Sequence, residues 1–411
     1  MSTSLKSFMD AMRMRRDSGL RKNRDIPGTT VPKDRTNEST KTNNDSVKNL
    51  AEKKSRQFAA RDERCVQAVD KSKSIPVYWI NLPRSKFRRH YFEYQLGTMG
   101  LVHKRIQAST KGDDVVSNST IHVSPKIDHT TFELSCVISH LIAIHTAIYD
   151  EDNKSNPYAL ITEDDINFEM DVDLLTLAEH APKNFGVLQL MTSASSYVGS
   201  LWKKYKEDVI KLKFNDIDPS NNPTNSIKNI NNSTNLNKSN KSRNLKNIDE
   251  KNSKDNFPHH LIWKPRRYDD PLWSTQAYLI NKKNVRKFID KMIKYDSTTG
   301  RYKVDIFNPS EKDFPCPKKN NCYLPFRIVS DMYIFSGCNP AYTSKIPMFN
   351  GASVGVNSTI HLRKNNDVAH AKSFIEIAGV LENVRNNEKL LPPYIRVKKN
   401  CVENSTKKRY E

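Results

Sequence analysis

Apolar residues along this chain alternate between short β-rich runs and longer stretches at helical spacing. The first run, Ile75–Leu82 (IPVYWINL), is closed by Pro83 and predicts a buried strand. Over 85–99, Phe87, Tyr91, Tyr94 and Leu96 stand among basic residues, which predicts a helix stopping at Gly97 or Gly100. Lys104–Ser109 predicts a second strand. Phe132–Tyr149 places apolar residues at 134, 137, 138, 141, 142, 144 and 148, the spacing of a helix with a broad buried face. Tyr158–Thr162 (YALIT) is a further strand, ended abruptly by Glu163, Asp164 and Asp165. Val187–Met191, Gln276–Ile280 and Tyr342–Pro347 add strands, and 171–180 and 282–294 add helices. The alternation predicts an α/β domain with a mostly parallel central sheet. Ligands of such sheets bind beyond the carboxyl ends of the strands. That directs attention to Asn81-Leu82-Pro83-Arg84 and to Glu163-Asp164-Asp165.

Three segments break the pattern. Residues 1–74 carry 18 basic against 10 acidic side chains without sustained periodicity and read as a disordered basic arm. Within it Leu5, Phe8, Met9 and Met12 share one face of a short helix, followed by Arg13, Arg15 and Arg16; a surface-binding helix and a frayed terminal turn are both open readings. Residues 215–256 hold 14 asparagines in 42 positions and too few apolar residues for a core, which predicts a low-complexity loop insertion. Such tracts are common where coding DNA is rich in A and T, as in some protists and large DNA viruses. Residues 382–411 read as a polar tail. The folded domain is thus expected over 75–381.

The 411 residues carry a formal net charge of +21, which invites a nucleic-acid partner. The three polar segments hold +14 of it and leave +7 on the expected domain, so the invitation weakens. No run of 18 or more apolar residues occurs, so no transmembrane segment is expected. The first thirty residues lack an apolar run of signal-peptide length. Six cysteines without an export signal read as reduced thiols. A cytoplasmic location follows as the expectation, or a virus factory or virion if the chain is viral, and Asn118, Asn232 and Asn357 are then not expected to carry glycans. Oligomeric state is left open.

Three successive carboxylates after an apolar strand repel one another, and a hard divalent cation is one reason for their being together. Capping of a following helix is the other. Arg84, Arg88 and Arg89 lie at i, i+4, i+5, so two guanidinium groups can share a helix face and reach a diphosphate; a solvated basic face is the alternative. His140 and His145 are five apart, which is not the i, i+4 spacing of two metal-binding imidazoles. His361 is a lone candidate for a third metal ligand. Cys316, Cys322 and Cys338 show no zinc-type CxxC pairing. The absence of GxxxxGK[ST], GxGxxG and GxSxG removes the common phosphate loops and the serine-hydrolase elbow.

The segments VYWINLPRSKFRR, ELSCVISHLIAIHTAI, ALITEDDINF, FGVLQLM, STQAYLINKKNVRKFI and IVSDMYIF, in this order over about 75–360, resemble glycosyltransferase family 25. That family includes lipooligosaccharide galactosyltransferases and collagen hydroxylysine galactosyltransferases. The resemblance implies a GT-A-type nucleotide-sugar-binding fold, a UDP-sugar donor, Mn²⁺ or Mg²⁺, and a glycan or protein-hydroxyl acceptor. It implies that Asn81, Arg84 and Arg88 lie on the nucleotide side, that Ser139 and His140 line the site, that Glu163 and Asp165 bind metal, and that Asp164 serves the ribose. Asp331 is the implied proton acceptor of an inverting reaction, with Asp269 and Asp270 as alternatives and Trp273 as an aromatic that could stack on base or sugar. The resemblance places Thr275, Gln276 and Tyr278 in a stretch where the family has small residues; this chain has Ser-Thr-Gln before Ala277 instead, so sugar or acceptor contacts there are expected to differ. A nucleic-acid-binding protein acting through its basic arm, and an inactive transferase fold kept as a binding module, are the alternatives carried forward.

Overall fold

A computed structural model describes residues 74–122, 130–215, 257–267, 270, 272, 274–307, 329–351 and 364–398. The arm through residue 73, positions 216–256 of the insertion, Asp269, Trp273, Cys316, Cys322, Asn232, Asn357 and His361 lie outside these residues.

The chain opens with β1 (Val77–Asn81), α1 (Lys86–Thr98), β2 (His103–Gln107), α2 (Asp114–Ser117) and β3 (Thr120–His122), then the long helix α3 (Thr131–Tyr149). β4 (Tyr158–Glu163), β5 (Ile166–Phe168), β6 (Met170–Val172), α4 (Leu174–Glu179), β7 (Val187–Gln189) and α5 (Ser195–Asn215) follow. Beyond the insertion come β8 (Trp263–Pro265), β9 (Ala277–Asn281), α6 (Lys282–Met292), β10 (Ile293–Asp296) and β11 (Arg301–Phe307). The described part ends with α7 (Ser330–Gly337), β12 (Ala341–Ser344), β13 (Phe349–Gly351), α8 (Lys364–Arg385) and β14 (Ile395–Val397).

Seven strands form one sheet in the order β2-β1-β4-β9-β7-β12-β8. Alternate residues of each central strand enter two separate cores, as the two-residue period of a strand requires. Trp79, Leu160, Leu188 and Leu279 point to one face, where α1, α4, α5 and α8 supply Phe92, Leu177, Trp202 and Leu381. Tyr78, Ile161, Val187 and Ile280 point to the other, where α3, α6 and α7 supply Ile138, Ile144, Val285 and Ile334. The result is a three-layer α/β/α arrangement. The helix α3 begins at a capping box, with Glu133 N donating to Thr130 Oγ1 at 3.1 Å and Thr130 N donating to the Glu133 carboxylate at 2.8 Å. It is buried nearly all round because the sheet lies on one side of it and α6 and α7 on the other.

Two expectations change, and a third gains a detail. The sheet is mixed rather than mostly parallel: β1 runs parallel to β2 and β4, and β7 to β12, but β9 runs against β4 and β7, and β8 against β12. Hydrophobic patterning sets which residues are buried and carries no information on strand direction. Second, α3 is a helix long and apolar enough to cross a membrane (mean hydropathy 1.4), and 67% of that window is buried inside the domain. Its apolarity is that of a core helix. Third, residues 382–397 fold onto the domain. Leu390, Leu391, Tyr394 and Ile395 join the core, Tyr205 donates to Leu390 O at 2.6 Å, and β14 pairs antiparallel with β6. A few large apolar residues spaced among polar ones suffice to anchor this segment.

Gly186 is held to glycine by close approach: a Cβ there would fall inside contact distance of the Cys338 carbonyl, on the segment that leads into β12. Gly186→Ala is therefore expected to cost about 1–3 kcal/mol, read as a lower midpoint of denaturant unfolding at an unchanged slope.

Candidate functional site

β1 is flanked by β2 on one side and β4 on the other, and the connections pass over opposite faces through α1 and α3. The order of strands therefore reverses at β1, the place where open α/β sheets leave a crevice beyond their carboxyl ends. A pocket of about 250 Å³ opens there, lined by the end of β1 and the start of α1 (Ile80, Arg84, Arg88), the 108–112 loop after β2, one face of α3 (Cys136, Ser139, His140) and the end of β4 (Glu163, Asp164).

The three carboxylates at the end of β4 take different partners. Asp164 turns inward, with a side-chain exposure of 4%; it accepts a hydrogen bond from Asn81 Nδ2 at 2.5 Å and pairs with Arg88 at 3.2 Å. Burial pushes its pKa up against the pull of Arg88 and Asn81. Asp165 lies 3.5 Å from the other arm of the Arg88 guanidinium and accepts from Gln276 Nε2 at 3.1 Å. Burial, then the charges of Glu163 and Asp164, push its pKa up to about 7, with Arg88 and Gln276 opposing. Glu163 accepts from Thr275 Oγ1 at 3.2 Å and faces His140 Nε2 at 3.5 Å. Burial raises its pKa, but His140, Thr275 and Arg88 outweigh that and hold it below the usual value.

Asn81 anchors the arrangement. It is fully buried, its amide donates to Asp164, and its carbonyl accepts from Arg105 Nε at 2.9 Å. His140 is also fully buried, with Nδ1 at 2.9 Å from the Tyr278 hydroxyl. Ser139 accepts from Ser109 N at 2.9 Å and donates to Ser135 O, tying the 108–112 loop to α3.

A second hydrogen-bonded run leads away from Glu163. Thr275 Oγ1 also lies 2.9 Å from Ser330 Oγ, and Asp331 follows on the first turn of α7. Asp331 is buried and accepts from Ser274 N at 3.2 Å and from Met332 N at 3.0 Å. Burial raises its pKa, countered by the charge of Arg266. Ser274 has φ of 120°, a backbone region that disfavours any side chain. Its bonds to Asp331, Gln276 and Gln189 hold it there.

Asn81, Arg84, Arg88, Ser139, His140, Glu163, Asp164 and Asp165 are thus brought to one sheet end. Arg89 is not: it pairs with Glu93 one turn along α1 at 2.9 Å. Asp270 pairs with Lys264. Asp331 is absent from the lining of this pocket; its neighbour Ser330 and its partner Ser274 link it to Thr275 and Gln276, which bond Glu163 and Asp165. Sequence reasoning missed Cys136, which lies beside His140 and Glu163, and Arg105. The signal for Cys136 was present as the i, i+4 pair Cys136–His140 on a helix.

The donor set of the acidic triplet is all carboxylate oxygen, which suits a hard cation such as Mn²⁺ or Mg²⁺. Asp164 is committed to Asn81 and Arg88, whereas Glu163 and Asp165 keep side-chain exposures of 20% and 28%. The residues fit a divalent cation held through Glu163 and Asp165.

The model of glycosyltransferase family 25, described as an LPS biosynthesis protein, matches residues 74–307. No curated protein matches the chain. The matched span runs from β1 through β11 and contains the acidic triplet with every partner named for it, leaving out Ser330 and Asp331. The match covers more than half of the 411 residues, and the chain belongs to glycosyltransferase family 25 and is a glycosyltransferase.

Proposed function

We propose that the chain transfers a hexosyl group, galactosyl or glucosyl, from a UDP-sugar to a hydroxyl of a glycan or of hydroxylysine, with inversion, on a GT-A-type fold. The carrying observation is the acidic triplet at the end of β4, at the point where the strand order reverses, with its carboxylates turned to different partners beside a pocket. Such a site takes a phosphorylated ligand together with a divalent cation. The Mn²⁺ or Mg²⁺ ion would be held by Glu163 and Asp165, and when bound it offsets the charge that develops on the departing diphosphate.

The chain's own residues do the rest. Arg84, exposed at the pocket edge, is placed to meet a phosphate oxygen. Arg88 bridges Asp164 and Asp165 and opposes the upward push on the pKa values of these two adjacent carboxylates next to an anionic donor. Asn81 and Asp164 fix the floor of the crevice, with Asp164 facing the ribose. Asp331 accepts the proton of the acceptor hydroxyl as the new C1–O bond forms and the C1–O bond to the phosphate breaks, its electron pair leaving with UDP. The raised pKa of Asp331 makes it a stronger base than an exposed aspartate.

A screen of UDP-sugars by UDP release is expected to show one preferred hexose and dependence on Mn²⁺ or Mg²⁺. If the folded protein with added metal releases UDP from no donor, the reading fails. Asp165→Asn is expected to lower kcat/KM by about 10²–10³-fold, the scale of losing one group that stabilises transition-state charge. Asp331→Asn is expected to lower kcat by about 10²–10⁴-fold while the donor dissociation constant, read by calorimetry, stays unchanged. A parallel loss of donor affinity would remove Asp331 from the role of base.

A further inference from the structure

Behind the acidic triplet, Cys136 and His140 lie one turn apart on the same face of α3, and the end of β4 brings Glu163 against them. The Cys136 sulfur, an imidazole nitrogen of His140 and a Glu163 carboxylate oxygen all lie within 4.8 Å of one another. All three residues line the pocket, together with Ser135 and Ser139.

Proximity alone would mean little, but His140 adds a separate observation. Its ring is completely buried and its Nδ1 is engaged by Tyr278, yet its Nε2 has no hydrogen-bond partner. The Glu163 oxygen at 3.5 Å is at the far edge of range. A buried ring nitrogen without a partner is costly. Here it is aimed at a thiol and a carboxylate. A cation bound at Nε2 would take its lone pair and place the ring proton on Nδ1, where the Tyr278 hydroxyl 2.9 Å away can accept it, the kind of outer hydrogen bond that orients metal-binding histidines. Glu163 is oriented in the same way by Thr275.

The chemistry of the set selects the ion. One sulfur, one imidazole nitrogen and one carboxylate oxygen make a borderline-soft set of the zinc type, unlike the all-oxygen sets of Mg²⁺ and Mn²⁺. A thiolate and a carboxylate together neutralise a dication, so the loaded cluster is uncharged and suited to burial. Loading releases the thiol proton to solvent. Three protein ligands beside an open pocket leave a fourth position for water or a ligand oxygen.

We propose that Cys136, His140 and Glu163 bind a zinc-type cation, distinct from the hard cation assigned to the outer carboxylates and sharing Glu163 with it. The proposal does not depend on the transferase reading.

The test is a titration of the metal-stripped full chain with Co²⁺, followed by displacement with Zn²⁺. One Zn²⁺-displaceable equivalent is expected to give a thiolate-to-cobalt charge-transfer band in the near ultraviolet and the strong visible bands of a four-coordinate ion, and Co²⁺ at the carboxylate site adds no thiolate band. Cys136→Ser should abolish the charge-transfer band although five other cysteines remain. Tyr278→Phe, which removes the hydroxyl on Nδ1, should weaken binding about 10–100-fold. Asp165→Asn should leave the spectrum intact while reducing UDP release, so the two assignments fail separately. A wild-type spectrum with no thiolate band, or a band that survives in Cys136→Ser, overturns the proposal.

Discussion

A buried strand that ends in three carboxylates must find each of them a partner, because unit charges a few ångströms apart repel by about 4 kcal/mol even at an effective dielectric of 20. Here the partners come from different elements. Asn81 arrives on β1, Arg88 on α1, His140 on α3, and Thr275 and Gln276 on the approach to β9. Those elements can converge only because β4 lies between β1 and β9, with α1 and α3 on opposite faces. The electrostatic requirement of one tripeptide and the topology of the sheet are in this sense a single constraint.

Arg88 illustrates how it is met. One guanidinium spans Asp164 and Asp165, so a single cation serves two neighbours and offsets part of the mutual repulsion that raises their pKa values. It is placed there by its position in the first turn of a helix that starts five residues after the end of β1. Arg89, one residue further round the same helix, faces solvent and meets only Glu93. The 100° between successive helical residues decides which of two adjacent arginines belongs to the site.

Much of this was readable from the chain. The strands through 77–81, 158–163 and 277–281 and the helices through 86–98, 131–149 and 282–292 stand where patterning puts them; the strands and the 131–149 helix bury nearly continuous apolar sets, and the other two helices directly follow a strand. The helices α5 and α8 were not legible. Their buried residues, such as Trp202, Tyr205, Ile377 and Leu381, form narrow stripes on polar helices, and what those stripes meet is each other and the sheet. The direction of β9 was likewise invisible, since alternation is the same for either polarity. In the site, Asn81, Arg88 and the acidic triplet were legible from their places at strand ends. Cys136 escaped because its significance lies in a partner 27 positions away and in the burial of an imidazole nitrogen. Neither is a property of local sequence.

β6 starts five residues after Asp165, and the strand it pairs with, β14, is the last in the described chain. The segment that frames the acidic triplet is therefore among the first third of the domain to be synthesised and is closed by one of the last pieces. Between the two events the sheet face that receives Leu390, Tyr394 and Ile395 stands open to solvent. A ribosome must have made almost all of the described domain before that core is sealed, so the order of synthesis and the order of burial run in opposite directions at the very place where the site is built.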